Sequence, residues 1–158
     1  KNFKTAKYVI FLIHGYSGHI NGPTAHKVMQ YLNSRDCIVV AVDMQGHGYS
    51  EGERCLVLKH DDMVSDVLQV VRCFENEDRE KELVFEEHES SFKRSDLSTF
   101  KKLPFFLMGS SMGGAVSTLS GHAMSAQSDT FPNFKGAILL APALSFKMPN
   151  WFLVETLR

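Results

Sequence analysis

Four short apolar runs set the terms for any fold of this chain: YVIFLIH at 8–14, CIVVAVD at 37–43, PFFLMGS at 104–110 and FKGAILLAP at 134–142. All are rich in β-forming residues and nearly continuously apolar, as strands covered on both faces of a parallel sheet should be. The segments between them carry helical patterns. TAHKVMQYLNSR (24–35) sets Val28, Tyr31 and Leu32 on one face, and DDMVSDVLQVVRCF (61–74) repeats Met63, Val64, Val67, Leu68, Val71 and Phe74 at three- and four-residue spacing. A third helix is predicted from Ser111 to about Ala126. Strand and helix in alternation describe right-handed βαβ crossovers and therefore an α/β sheet flanked by helices.

Sites in such sheets gather beyond the carboxyl ends of the strands. That directs attention to His14-Gly15, to Asp43 through Gly52, to Gly109 through Gly114 and to Ala141 through Leu144. Residues 75–103 break the rhythm, with about half their side chains charged against 22% for the whole chain, and read as a solvated, mobile insertion. With 158 residues, 44% of them hydrophobic, the chain has the bulk for one core and too little for two. A formal net charge of −1 gives no reason to expect nucleic acid as a partner. Cys37, Cys55 and Cys73 form no CxxC pair and are odd in number, so neither a disulfide framework nor a metal site is expected. No apolar run reaches the roughly 20 residues of a membrane span, and the Lys1 end lacks a secretory apolar core, so a cytoplasmic protein is expected. The start at Lys1 and the close on MPNWFLVETLR suggest a piece of something longer.

Gly109-Ser110-Ser111-Met112-Gly113 fits G-x-S-x-G between a predicted strand and a predicted helix, the context that motif requires. A serine at so sharp a turn takes strained backbone angles, and the residues two before and two after it crowd the turn unless they lack a Cβ. Gly109 and Gly113 answer that need, and Gly114 lets the helix lie close to the next strand. Ser111 is then a candidate nucleophile at a helix N-terminus, with the Met112 N–H as one oxyanion donor. The competing reading is a glycine-rich turn with Ser111 as an N-cap. The G-x-G-x-x-G and Walker phosphate-binding patterns do not fit. IHGYSGH at 13–19 follows the first strand, and a His14-Gly15 turn there would bring the Tyr16 N–H beside the serine as a second donor.

Taken with HGYSGH, GSSMGG and LLAPAL, the stretch VDMQGHGYSEGER at 42–54 makes the chain resemble the monoacylglycerol lipase and lysophospholipase group of α/β-hydrolases. The motifs run in that group's order from residue 9 to 144. The resemblance implies a partial α/β-hydrolase fold, with a mostly parallel sheet flanked by helices and lacking the later strands and most of the cap. Residues 1–145 would be the N-terminal part of the core and 146–158 the start of the cap. It implies a serine hydrolase of carboxylic esters working through an acyl-enzyme at Ser111, with the Tyr16 and Met112 N–H groups as oxyanion hole. His14, Gly15, Asp43, Gly46, His47 and Gly48 would shape the loops around the site, with His19 bordering the same loop. The implied ligand is a small lipid ester, without metal or organic cofactor, and the cap would make peripheral membrane contact. Ser110 departs from the group, whose members commonly have histidine there.

The triad is incomplete. In α/β-hydrolases the acid and the histidine follow the nucleophile. After Ser111 the chain has only His122, Asp129 and Glu155 to consider. His122 sits eleven residues along the same helix, about 16 Å away at 1.5 Å per residue. Asp129 precedes the last strand and Glu155 falls where the cap should begin, so neither is assigned. The expectation is that acid and base lie beyond this chain, which leaves a sheet edge and apolar faces uncovered. A non-catalytic hydrolase-fold binding protein or truncated product, or another serine hydrolase such as a peptidase, thioesterase or carbon–carbon hydrolase, are the alternatives.

Overall fold

The computed structural model describes residues 5–75 and 101–145. Four strands, β1 (Tyr8–Ile13), β2 (Cys37–Val42), β3 (Phe105–Ser110) and β4 (Phe134–Leu140), alternate with three helices, α1 (Pro23–Ser34), α2 (His60–Glu75) and α3 (Met112–Ala126). All four strands are parallel, in the order β2-β1-β3-β4. Each apolar run became a strand and each helical pattern a helix, because period and turn residues agree at every boundary. At the start of α1, for example, Gly22 caps and Pro23 takes the first helical position, where its missing N–H is no loss.

From β1 the chain steps one way to β2, then returns across β1 to β3 and on to β4. Right-handed crossovers therefore put α1 on one face of the sheet and α2 and α3 on the other. The reversal makes the gap between the carboxyl ends of β1 and β3 the switch point, where a crevice forms. Register fixes its floor: Ile13 is paired with Gly109, so the turn after β1 and the turn after β3 leave the sheet side by side.

The core lies between the sheet and the α2–α3 face. Phe11 meets Phe74 and Phe105 edge to face at centroid distances of 5.5 and 5.4 Å. Val9, Ile13, Leu107, Val71, Val116 and Met124 are buried around them. On α2 the predicted stripe is the inner face, with Met63, Val67, Val71 and Phe74 buried and Cys73 beside them.

Two expectations need correction. Tyr31 does not face inward: it is 60% exposed, and the Arg35 guanidinium lies over its ring. The inner stripe of α1 is Ala25, Val28, Met29 and Leu32, all half-buried, an i, i+3, i+4, i+7 set that excludes position 31. Second, β4 is not covered on both faces. Ile138, Leu139 and Leu140 are 37–41% exposed, because no strand pairs with the outer edge of β4 among the described residues. An uncovered edge with apolar faces is what a partial α/β-hydrolase sheet presents. Most of the 75–103 insertion and the 146–158 segment read as the start of a cap lie outside the described residues.

Candidate active site

Ser111 stands between β3 and α3 with φ 50° and ψ −117°. A non-glycine residue with positive φ is strained by about 1–3 kcal/mol and persists only where its surroundings hold it. They do. The Ser111 N–H donates to the Leu140 carbonyl at 3.0 Å, and its own carbonyl accepts from Gly114, Ala115 and Ala143 at 3.0, 3.2 and 2.9 Å. The turn is thus clamped to the helix it opens and to the loop after β4. The hydroxyl caps nothing, although Ser111 sits at the N-cap position, so the capping alternative fails and the side chain is uncommitted.

The flanking glycines are required by contact. A Cβ on Gly109 would overlap the Gly113 carbonyl, and one on Gly113 would overlap the Ile13 and His14 carbonyl oxygens. On Gly114 a Cβ would come within 2.7 Å of Pro142 Cβ. The helix start therefore lies directly on the end of β1. A Cβ on Gly15 would stand 3.3 Å from both Ser111 Cβ and the Ser110 carbonyl. The two glycine turns meet backbone to backbone, with the candidate serine at the contact.

His14 orients the first turn. Its Nδ1 lies 2.8 Å from the Gly15 carbonyl and its Nε2 accepts the Met44 N–H at 3.1 Å. A carbonyl only accepts, so Nδ1 carries the proton and Nε2 the lone pair. The same carbonyl also takes the Gly18 N–H at 3.0 Å. In a planar trans peptide, C=O and N–H point in opposite directions. Pinning the Gly15 oxygen therefore fixes the direction of the Tyr16 N–H. Among the described residues, neither that N–H nor the Met112 N–H donates a hydrogen bond. Burial lowers the His14 pKa from its usual 6.5, with the neighbouring His47 adding to the effect and the Gly15 carbonyl opposing it.

Asp43 ties the second loop to the first. Its Oδ1 accepts the Ile20 N–H at 2.7 Å and its Oδ2 the Tyr49 N–H at 3.0 Å, while Ser50 Oγ donates to its carbonyl at 2.6 Å. Gly48, with φ 53°, lies against this carboxylate where any Cβ would overlap it. Gly46, at φ 74°, accepts the Cys55 N–H at 3.0 Å and closes the same loop. His47 is buried, its Nδ1 2.9 Å from the Gln45 carbonyl and its ring 5.1 Å from that of His14.

The structure thus brings His14, Gly15, Tyr16, Asp43, Gly46, His47 and Gly48 together with the elbow of Gly109, Ser111, Met112, Gly113 and Gly114. It does not bring His122 or Asp129 to the serine: both are exposed, one on the outer side of α3 and the other in the turns that follow it. Glu155 lies outside the described residues. Among the described residues no cluster of three or more metal-binding side chains occurs, and no helix is long and apolar enough to cross a membrane. The carboxylate's grip on Ile20 and Tyr49 was not readable from spacing, since it joins backbone groups on two different loops. The one trace in the sequence is Gly48 five residues on, the partner a carboxylate at that place demands.

Comparison with known proteins accords with this geometry. A hydrolase family model described as serine aminopeptidase, S33, matches residues 4–158. Monoglyceride lipases of Rattus norvegicus and Homo sapiens are 32% and 31% identical over 89% and 87% of this chain. The chain spans 36% of the length of each. Among solved structures, the Paleococcus ferrophilus monoacylglycerol lipase superposes with a TM-score of 0.62 at 19% identity, over 96% of this chain and 46% of its own. Est1E from Butyrivibrio proteoclasticus, solved with ferulic acid, superposes with a TM-score of 0.60 at 24% identity, over 89% of this chain and 45% of its own. At these identities the superpositions establish a shared α/β-hydrolase fold, of which the chain supplies part.

Proposed function

The chain belongs to the serine aminopeptidase S33 family of hydrolases, and on that premise we propose that Ser111 is the nucleophile of a lipid-ester hydrolase. Ser111 Oγ attacks the ester carbonyl, and the Tyr16 and Met112 N–H groups receive the oxyanion of the tetrahedral intermediate. Collapse expels the alcohol and leaves an acyl-Ser111 ester, which water cleaves to free acid. The Ser111 proton passes to a histidine that we assign to neither His14, His47 nor His122, and that lies outside the described residues.

One observation carries the reading: a strained serine whose hydroxyl makes no cap bond, pressed against a turn whose N–H has no partner among the described residues. Relatives named monoglyceride lipase support a monoacylglycerol as substrate, with a lysophospholipid as the alternative that the sequence motifs also suggest. Residues 1–145 form the core portion in this reading, and 146–158 begin a cap that meets the lipid surface. Reaction of the full-length protein with a fluorophosphonate probe should label wild type and not Ser111→Ala. Ester turnover should fall by about 10⁶-fold in that variant. Equal labelling of both proteins would remove Ser111 from the mechanism.

The family's description favours a peptidase as second reading. An aminopeptidase must bind a cationic amine, yet among the described residues the cavity beside the oxyanion turn is lined by Arg54, His19 and His47 and by no carboxylate. Hydrolysis of aminoacyl amides at rates matching those of acyl esters would reverse this preference.

A further inference from the structure

The ladder between β3 and β4 runs on past the last residues of both strands, and it changes step at Ser111. Ser110 pairs with Leu140, and the Ser111 N–H donates to the Leu140 carbonyl at 3.0 Å. In a regular parallel ladder the next bond would reach the Ser111 carbonyl from the N–H two residues after Leu140. That residue is Pro142, which has no N–H to give. Ala143 donates instead, at 2.9 Å, so the chain after β4 carries one residue more than the turn it faces. The extra residue is taken up at Ala141, whose φ of 44° lies in the left-handed region. This is a bulge in a parallel pair, an uncommon device that re-aims the side chains beside it.

The bulge bears on what Ser111 can do. A serine at the start of a helix ordinarily takes extended angles and turns its hydroxyl back onto the second or third N–H of the helix. Those belong here to Gly113 and Gly114. Ser111, at φ 50° and ψ −117°, is out of that conformation, and its hydroxyl makes no such bond. The bonds its carbonyl accepts from Gly114 and Ala115 come with a helix start. The Leu140 and Ala143 bonds do not: they grip the N–H and the carbonyl of Ser111 from outside the helix. Pro142 is itself seated on α3, its Cβ 2.7 Å from where a Cβ on Gly114 would stand.

We propose that Pro142 is a positioning residue for Ser111: by withholding an N–H it forces the bulge through which Leu140 and Ala143 keep Ser111 out of the capping conformation, with its hydroxyl free for attack. The proposal rests on the reading of Ser111 as the nucleophile. Pro142 acts only through the Ser111 backbone.

Pro142→Ala returns the missing donor and lets the ladder run in step. In the full-length protein this variant should label with a fluorophosphonate probe, and turn over ester in kcat, about tenfold or more slowly, with KM within about twofold of wild type. Its Tm should be unchanged or raised. A lower Tm with an unchanged labelling rate in the folded protein would mean that Pro142 merely holds its loop, and overturns the proposal. Ala141→Val, whose branched side chain resists positive φ, should slow labelling in the same way, and Ala141→Gly, which accepts it, should label as fast as wild type. These two variants decide the matter should Pro142→Ala fail to fold: equal labelling by both refutes the bulge as the cause. Amide hydrogen exchange reads the bonds directly. The Ala143 amide should be protected in wild type, and in Pro142→Ala protection should pass to the amide at position 142. An unprotected Ala143 amide in wild type overturns the proposal. If wild type neither labels nor cleaves ester, the reading of Ser111 is what fails, and the exchange pattern alone judges whether Pro142 sets the Ser111 backbone.

Discussion

Ser111 and His14 set the geometry of the crevice, one through strained backbone angles and the other as a neutral ring that orients backbone. His14 donates through Nδ1 and accepts through Nε2, an arrangement open only to the uncharged imidazole. Its folded pKa lies below 6.5, so between that lowered value and 6.5 the unfolded chain binds a proton that the folded chain refuses. Stability from this residue is complete above pH 6.5 and declines as pH falls through the window. The slope of Tm against pH below 6.5 should therefore flatten in His14→Asn and His14→Gln. The two variants should separate in catalysis. The Asn amide nitrogen replaces Nδ1 and can still pin the Gly15 carbonyl, whereas Gln replaces Nε2 and serves Met44. Higher kcat in His14→Asn than in His14→Gln, at similar KM, is expected if the carbonyl pin aims the Tyr16 N–H. The reverse order would assign that task elsewhere. At this scale the sequence reveals residue types and little of their bonding: Gly-x-Ser-x-Gly is a pattern, but the His14 acceptor role depends on Met44, thirty residues away.

Elements were the most legible level, since each apolar run and each helical stripe is a local signal. Their contacts were less so. That Gly113 would matter follows from the motif, whereas its reason, the carbonyl oxygens of Ile13 and His14 packed against its Cα, appears only when α3 lies on β1. Those oxygens belong to backbone and cannot swing aside. Gly113→Ala should lose about 3 kcal/mol, the upper end of overpacking, and lower Tm by about 6–12 °C. A loss under 1 °C by calorimetry would show that the helix start can slide. Tyr31 illustrates the opposite error. An aromatic residue three positions after Val28 looks internal by period, yet the half-buried stripe runs through Met29 and Leu32 and leaves Tyr31 to cover itself with Arg35.

At the scale of the molecule, the sheet order settles what composition could not. Parallel strands were foreseeable from the alternation of elements, but the switch point depends on the strand order and the exposure of β4 on what lies beside it. Ile138, Leu139 and Leu140 offer apolar side chains on both faces of an edge that no strand among the described residues pairs with, the form of strand that recruits another. The 158-residue chain on its own should sediment above its 17.8 kDa monomer mass in a concentration-dependent manner. Leu139→Lys, a charge set into that edge, should shift it toward monomer. A monomer at all concentrations in both proteins would show that the edge is protected.

The central place of β1 has a consequence in time. Val9 pairs with Ile38 on one side and with Phe105 on the other, so the second pairing must close a far longer loop than the first. Contacts so distant in sequence form slowly. The β1–α1–β2 unit and its aspartate clasp can assemble early, but the crevice exists only after β3 docks. Probe labelling of Ser111, if it is the nucleophile proposed above, should accordingly trail the recovery of helical signal during refolding, and the molecule should pass its most association-prone moments before the Ser111 turn is in place.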